Sequence, residues 1–261
     1  MFVVAIANQK GGVGKTTTAV NIATAMAATG WRTLVIDMDP QGNASTGLGI
    51  PANARENSSY DVLIDDVPIM TCAMTSEIPG LSVVPATVDL SGAEVELVSM
   101  SARTDRLHNS LSQRDVQSAF DVCFIDCPPS LGLLTLNALG AADTLMVPLQ
   151  CEFFALEGLS QLLQTVDRVQ SRFNERLGII GVVLTMFDRR NRLTDQVADD
   201  VRDCLGNLVF DTVIPRNVRL SEAPSHGMPA LIYDHSCPGS RAYIALAREL
   251  IGRMPERREA A

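Results

Sequence analysis

Along the chain, short runs of β-branched and aliphatic residues alternate with longer stretches in which apolar positions recur every three or four residues. The short runs predict strands over residues 2–7, 32–37, 81–85, 120–126, 144–149, 179–184 and 209–214. The longer stretches predict helices over 16–29, 90–102, 131–141, 156–173, 193–205 and 240–253. Such alternation implies parallel strands, because each strand is followed by a crossover that must pack back onto the sheet. Several strand runs are unbroken Val, Ile and Leu, the composition of strands covered on both faces. The expected fold class is α/β, a single doubly wound, mostly parallel sheet flanked by helices. No repeat or Pro/Gly/Ser-rich linker divides the chain, so one domain is expected over residues 1–254, with residues 255–261 as a frayed tail. Residues 49–74 break the alternation and read as a surface excursion with a short helix near 60–64.

Composition narrows this picture. Of 261 residues, 46% are hydrophobic and 20% charged, a globular balance that excludes a disordered or fibrous chain. The longest apolar runs, 1–7 and 177–184, fall well short of the about 20 residues a membrane-spanning helix needs. The first run has no basic residue before it and continues straight into Asn8-Gln9-Lys10-Gly11, unlike a secretory signal, so a cytoplasmic location is expected. The six cysteines form no C-x-x-C pair and are expected to serve as small buried hydrophobes. A formal net charge of −9 excludes a uniformly basic nucleic-acid binder and leaves room for a local basic patch.

The first strand leads into Lys10-Gly11-Gly12-Val13-Gly14-Lys15-Thr16-Thr17 and then a helix, the strand–loop–helix context of a phosphate-binding loop. Glycines allow backbone N–H groups to converge on phosphate oxygens, and the helix N-terminus adds partial positive charge. Lys15 is placed to reach the β- and γ-phosphates, and the Thr16 hydroxyl to ligate Mg²⁺. The usual pattern has glycine where this chain has Gln9, and it lacks the additional Lys10. Lys10 reads either as a solvated loop charge or as a second cation that stabilises transition-state charge in the manner of an arginine finger.

Two further strands end in acidic residues, at Asp37-Met38-Asp39-Pro40 and at Asp126-Cys127-Pro128-Pro129. In open parallel sheets ligands sit beyond the carboxyl ends of strands, which brings these aspartates to the edge that carries the phosphate loop. An apolar strand ending in Asp126 is the Walker B pattern, whose carboxylate serves Mg²⁺. Of Asp37 and Asp39, one can support the metal while the other positions an attacking water; alternatively each is a turn-forming residue.

In these segments, and in Glu157-Gly158-Leu159 and Pro215-Arg216-Asn217-Val218-Arg219-Leu220-Ser221-Glu222-Ala223-Pro224, the chain resembles the ParA/Soj-type chromosome-partitioning ATPases, the deviant Walker A class of P-loop proteins. The resemblance covers nearly the whole chain. It implies ATP and Mg²⁺ as cofactors and an ATP-sandwich homodimer in which Lys10 reaches the partner's nucleotide and Gly11 stays small at the subunit contact. It implies that Asp39 orients the hydrolytic water, that Thr16 with Asp126 behind it serves Mg²⁺, and that Pro215 and Asn217 lie against adenine. It further implies sequence-independent DNA binding by the ATP dimer, association with the nucleoid, and hydrolysis stimulated by a ParB-like centromere-binding partner. Arg190 and Arg219 match the DNA-contacting arginines of that family, with Arg189, Arg192 and Arg216 close by. Without the resemblance, three arginines in residues 188–192 read as a solvated face.

Two rival readings share the phosphate loop. A MinD-like membrane-cycling ATPase for division-site placement would carry a C-terminal amphipathic anchor. The closing helix does align Tyr243, Leu246, Ala247, Leu250 and Ile251, a stripe that core packing explains equally, and no basic-and-apolar extension follows it. A nitrogenase-reductase-like electron carrier would need cysteines on loops at a subunit face, whereas Cys123 lies within a strand and Cys127 beside Asp126.

Overall fold

The computed structural model describes residues 1–255. Its sheet contains β1 (Phe2–Ile6), β2 (Thr33–Asp37), β3 (Met74–Thr75), β4 (Leu81–Val84), β5 (Val122–Asp126), β6 (Thr144–Gln150) and β7 (Gly178–Thr185). Their spatial order is β3-β4-β2-β5-β1-β6-β7, parallel throughout except where β3 pairs with β4. The helices are α1 (Lys15–Ala28), α2 (Asn43–Gly47), α3 (Ser59–Ile64), α4 (Ile69–Cys72), α5 (Leu90–Ser99), α6 (Arg106–Leu111) and α7 (Arg114–Ala119). They continue with α8 (Leu133–Ala141), α9 (Ala155–Arg172), α10 (Arg192–Leu205), α11 (Val218–Glu222), α12 (Ala230–Tyr233) and α13 (Pro238–Arg253).

From the central β1 the chain winds out to β2 and β4, returns to β5 beside β1, and then builds β6 and β7 on the other flank. The winding therefore reverses next to β1, which opens a crevice at its carboxyl end. Successive β1 residues serve opposite faces: Val3 and Ala5 join a core with α5, α8, α9 and α10, while Val4 and Ile6 join one with α1 and α13. Both faces are buried, which is why the strands read as continuous apolar runs. On α13 the apolar stripe is core: Tyr243, Leu246, Ala247 and Leu250 are buried, and the Tyr243 hydroxyl meets the Thr18 hydroxyl at 3.1 Å. Among the described residues no helix is long and apolar enough to cross a membrane.

Several sequence expectations are corrected. Residues 209–214 form no strand, only single bridges from Val209 to Val182 and from Pro215 to Phe187. The reason lies far along the chain. Phe210 and Ile214 donate to Val182 and Leu184 of β7, but the Glu249 carboxylate accepts the N–H groups of Asp211 and Thr212, at 2.8 and 3.0 Å, and so takes the Thr212 N–H that would continue the ladder between them. The helix expected to reach residue 102 ends at Ser99, since Met100 is extended and Ala102 takes a left-handed φ of 51°. Cys204 is exposed, unlike the other five cysteines, which are buried as expected. Within residues 49–74, α3 forms where a helix was expected because Ser58 and Asp61 make a capping box. The expected tail lies, beyond Pro255, outside the described residues.

Candidate functional site

Residues 7–14 carry the chain from β1 into α1. Asn8 shapes this turn: its Nδ2 donates to the Pro148 carbonyl at 2.7 Å and its Oδ1 accepts the Lys10 N–H at 3.0 Å. Gly12 and Gly14 take φ values of 75° and 86°, left-handed conformations that side chains disfavour. From the far side Thr185, the last residue of β7, donates its hydroxyl to the Val13 carbonyl at 2.8 Å and braces the loop. Lys15 opens α1 and is buried, with Nζ donating to the Lys10 carbonyl at 3.1 Å. Burial lowers its pKa, and Asp126, Cys127 and Asp39 pull in the opposite direction. Lys10 is exposed, its ammonium ion-paired with Glu152 just beyond β6.

Asp37 ends β2, Asp126 ends β5, and the two stand in register on neighbouring strands, both fully buried. Their surroundings differ. Asp37 accepts the Ser45 N–H at 2.8 Å, the Ser45 hydroxyl at 2.7 Å and the Asp39 N–H at 3.2 Å. Neither oxygen of Asp126 accepts a hydrogen bond among the described residues. Burial pushes the Asp37 carboxyl up to about 6, against the lowering effect of its hydrogen bonds. Burial, followed by the charge of Asp37, drives Asp126 well above the usual carboxylate range; the neighbouring Thr16 hydroxyl and Lys15 favour its ionised form. Asp37 thus anchors the start of α2, and Asp126 keeps both oxygens uncommitted. Asp39 is buried and accepts the Gln41 N–H at 3.0 Å.

An orphaned buried carboxylate beside a threonine hydroxyl and a lysine calls for a cation. Among the described residues no three His, Cys, Asp or Glu side chains gather into a cage. That suits Mg²⁺, which takes one or two carboxylates and completes its shell with water and phosphate oxygens. Against the loop opens a cavity of about 550 Å³, lined by Gly14, Thr16 and Thr17 at one end and by Pro215, Asn217 and Leu220 opposite. Asn217 also caps α11, its Oδ1 accepting the Arg219 N–H at 2.9 Å.

The two arginine-bearing segments are joined by backbone. Phe187 donates to the Ile214 carbonyl at 2.9 Å and Arg216 to the Phe187 carbonyl at 3.0 Å, which lays residues 188–192 beside residues 214–219 at the rim of the site. Arg189, Arg190, Arg192, Arg216 and Arg219 are all exposed. Arg190 chelates Asp188 at 2.9 and 2.8 Å, which holds the Asp188 carboxyl down to about 2. Sequence reasoning missed Asn8, Ser45, Glu152 and Thr185. Asn8 stands directly before the loop and was the legible one; Glu152 and Thr185 reach the site through strand order, and Ser45 through the turn that leads from Asp37 into α2.

A glycine-rich loop between the central strand and its helix, with a free aspartate ending the next strand, defines a P-loop ATPase fold. Residues 1–179 match the family model described as an AAA domain. The chain is 58% identical to the chromosome partitioning protein ParA of Caulobacter vibrioides strain NA1000, over 98% of this chain and 96% of that protein. It is 51% identical to the sporulation initiation inhibitor protein Soj of Bacillus subtilis, over 95% of this chain and 97% of that one. Among solved structures, a cobyrinic acid a,c-diamide synthase from Mycobacterium smegmatis, with bound ATP analogue and magnesium, superposes with a TM-score of 0.82 at 37% identity, covering 95% of this chain and 93% of that one. The chain belongs to the ParA/Soj family of chromosome-partitioning ATPases.

Proposed function

We propose that the protein is an ATP-driven switch for DNA segregation: with ATP and Mg²⁺ it closes into a homodimer that holds DNA without regard to sequence, and hydrolysis, stimulated by a ParB-like partner, releases it. The observation that carries the reading is the buried Asp126 carboxylate, without a hydrogen-bond partner among the described residues, in register with Ile6 where β1 gives way to the phosphate loop, and beside Lys15. Lys15 binds the phosphates, and residues 11–17 cradle them through backbone N–H groups. Thr16 and Asp126 hold Mg²⁺, while Asp37, its oxygens already engaged, positions α2 and the Asp39 loop rather than the ion. Bound there, Mg²⁺ neutralises charge developing between the β- and γ-phosphates. Asp39 orients the attacking water, and Pro215 and Asn217 flank the base across the cavity.

Lys10 exchanges Glu152 for the nucleotide of the second subunit, a change its exposed position permits. The exposed Phe153 and Phe154, packed edge to face at 5.1 Å beside that ion pair, supply apolar surface for the contact. The arginines at the rim neutralise DNA phosphates, which gives salt-sensitive binding without base readout. On this reading the protein works in the cytoplasm, attached to the nucleoid. The burial of the α13 stripe favours this reading over a membrane-cycling one.

Co-sedimentation with plain duplex DNA under ATP, ADP and no nucleotide, across salt concentrations, tests the proposal. Retention is expected with ATP alone, falling steeply with salt. Equal retention in all three states contradicts it, because a ligand indifferent to two states shifts neither.

A further inference from the structure

The five rim arginines are not equivalent. Arg189, Arg192 and Arg216 have no ion-pair partner among the described residues, whereas Arg190 is held by Asp188 of its own loop and Arg219 by Glu222 of α11 and by Asp234 just after α12. Arg219 donates to Glu222 at 2.8 Å, and its Nε lies 3.6 Å from Asp234. Its guanidinium lies over the Tyr233 ring, 6.0 Å from the centroid, and His226 stacks on that same ring with centroids 4.9 Å apart. Arg190 is bound by both oxygens of Asp188. The pairs remain partly open to solvent, with side-chain exposures of 47% for Arg219, 41% for Glu222 and 87% for Arg190.

We propose that Glu222, Asp234 and Asp188 act as a built-in brake on DNA attachment, occupying the guanidinium groups that phosphates must capture. The inference rests on the DNA-binding reading above and deepens it. A phosphate that takes Arg219 must displace a carboxylate already in place, and that carboxylate stays nearby as a like charge. An exposed ion pair is weak enough for this exchange to run in both directions, and its loss changes an equilibrium by about two- to fivefold. In a dimer each pair occurs twice, so the factor enters about squared. Attachment then needs both subunits closed on one duplex, because a single subunit gains little by exchanging one anion for another. The free Arg189, Arg192 and Arg216 make first contact, and the braked pair completes it.

The test uses the full chain with ATP and Mg²⁺ on duplex DNA of arbitrary sequence, comparing Glu222→Gln, Asp188→Asn and their combination with Glu77→Gln. Glu77 is an exposed acid between β3 and β4, at the opposite end of the parallel strands, so its variant makes the same change in net charge away from the rim. Retention by each rim variant is expected to rise about two- to fivefold or more above Glu77→Gln, with the double variant higher still. The two rim residues sit on separate elements, Glu222 at the end of α11 and Asp188 in the loop after β7, so Asp188→Asn tests the idea even if Glu222→Gln misfolds. Rim variants that match Glu77→Gln, or bind less tightly, overturn the brake while leaving DNA binding intact. A wild-type chain that DNA never retains in any nucleotide state overturns the DNA reading itself, and the brake with it.

Discussion

Replacing Asp126 with asparagine should move stability and ligand response in opposite directions. The wild-type carboxyl group has no exposed surface, accepts no hydrogen bond among the described residues, and stands in register with the equally buried Asp37. Asparagine keeps the shape and removes the charge, though its amide is still short of partners. An unsatisfied buried polar group costs about 1–3 kcal/mol and a buried charge more, so a net gain of about 1–2 kcal/mol is expected without ligand at pH values where the wild-type carboxyl is ionised. In a chain of this size that is a rise of about 2–8 °C in Tm. The gain must depend on pH. A carboxyl whose folded pKa is raised contributes stability that is complete below its unfolded value and is lost as pH rises through the folded one. For Asp37 that window runs from 3.8 to about 6. For Asp126, raised for the same reason, the advantage of asparagine should shrink as acid protonates the wild-type side chain. With ATP and Mg²⁺ the order reverses: wild type gains about 2.7 kcal/mol at a hundredfold excess over Kd, and the variant far less. Differential scanning fluorimetry with and without ligand, at two pH values, reads all of this. A variant that melts below wild type without ligand, or that gains the same ligand shift, refutes the argument.

Asp39→Ala should retain ATP and DNA binding and lose turnover; a phosphate-release rate equal to wild type sinks its assigned role. Arg219→Glu should still dimerise with ATP, seen by light scattering, and fail to hold DNA at low salt, where undiminished retention would count against the rim. Glu94→Ala should lower Tm by about 2–8 °C, because its carboxylate accepts the N–H groups of Leu133 and Leu134 at 2.8 and 3.2 Å and so caps α8, a contact worth about 1–2 kcal/mol. A Glu94→Gln variant, which keeps an acceptor, should recover part of that loss.

How much of this was legible in the sequence follows from how local each cause is. The phosphate loop was legible because its glycines, lysine and threonine act on neighbouring backbone. The parallel sheet was legible because burial on both faces leaves unbroken apolar runs. Residues 209–214 have an equally apolar pattern yet form no strand, since Glu249 takes two of their N–H groups from 38 and 37 positions away. The three strand-end aspartates were found together, but their division of labour was not. Nothing near Asp37 signals that Ser45, eight residues on, fills its lone pairs while Asp126 is left without partners. From charge and spacing alone the arginines within 188–192 read as a solvated face; the resemblance singled out Arg190, and the Phe187 and Ile214 backbone contact is what lays the segment beside Arg216.

Calorimetric titration of ATP into wild type and Lys15→Ala, each with and without Mg²⁺, tests the central claim most directly. Wild type should bind one ATP per chain, more tightly with Mg²⁺, and Lys15→Ala should show no measurable heat. ATP binding that survives loss of the Lys15 ammonium, or that ignores Mg²⁺, would contradict the account.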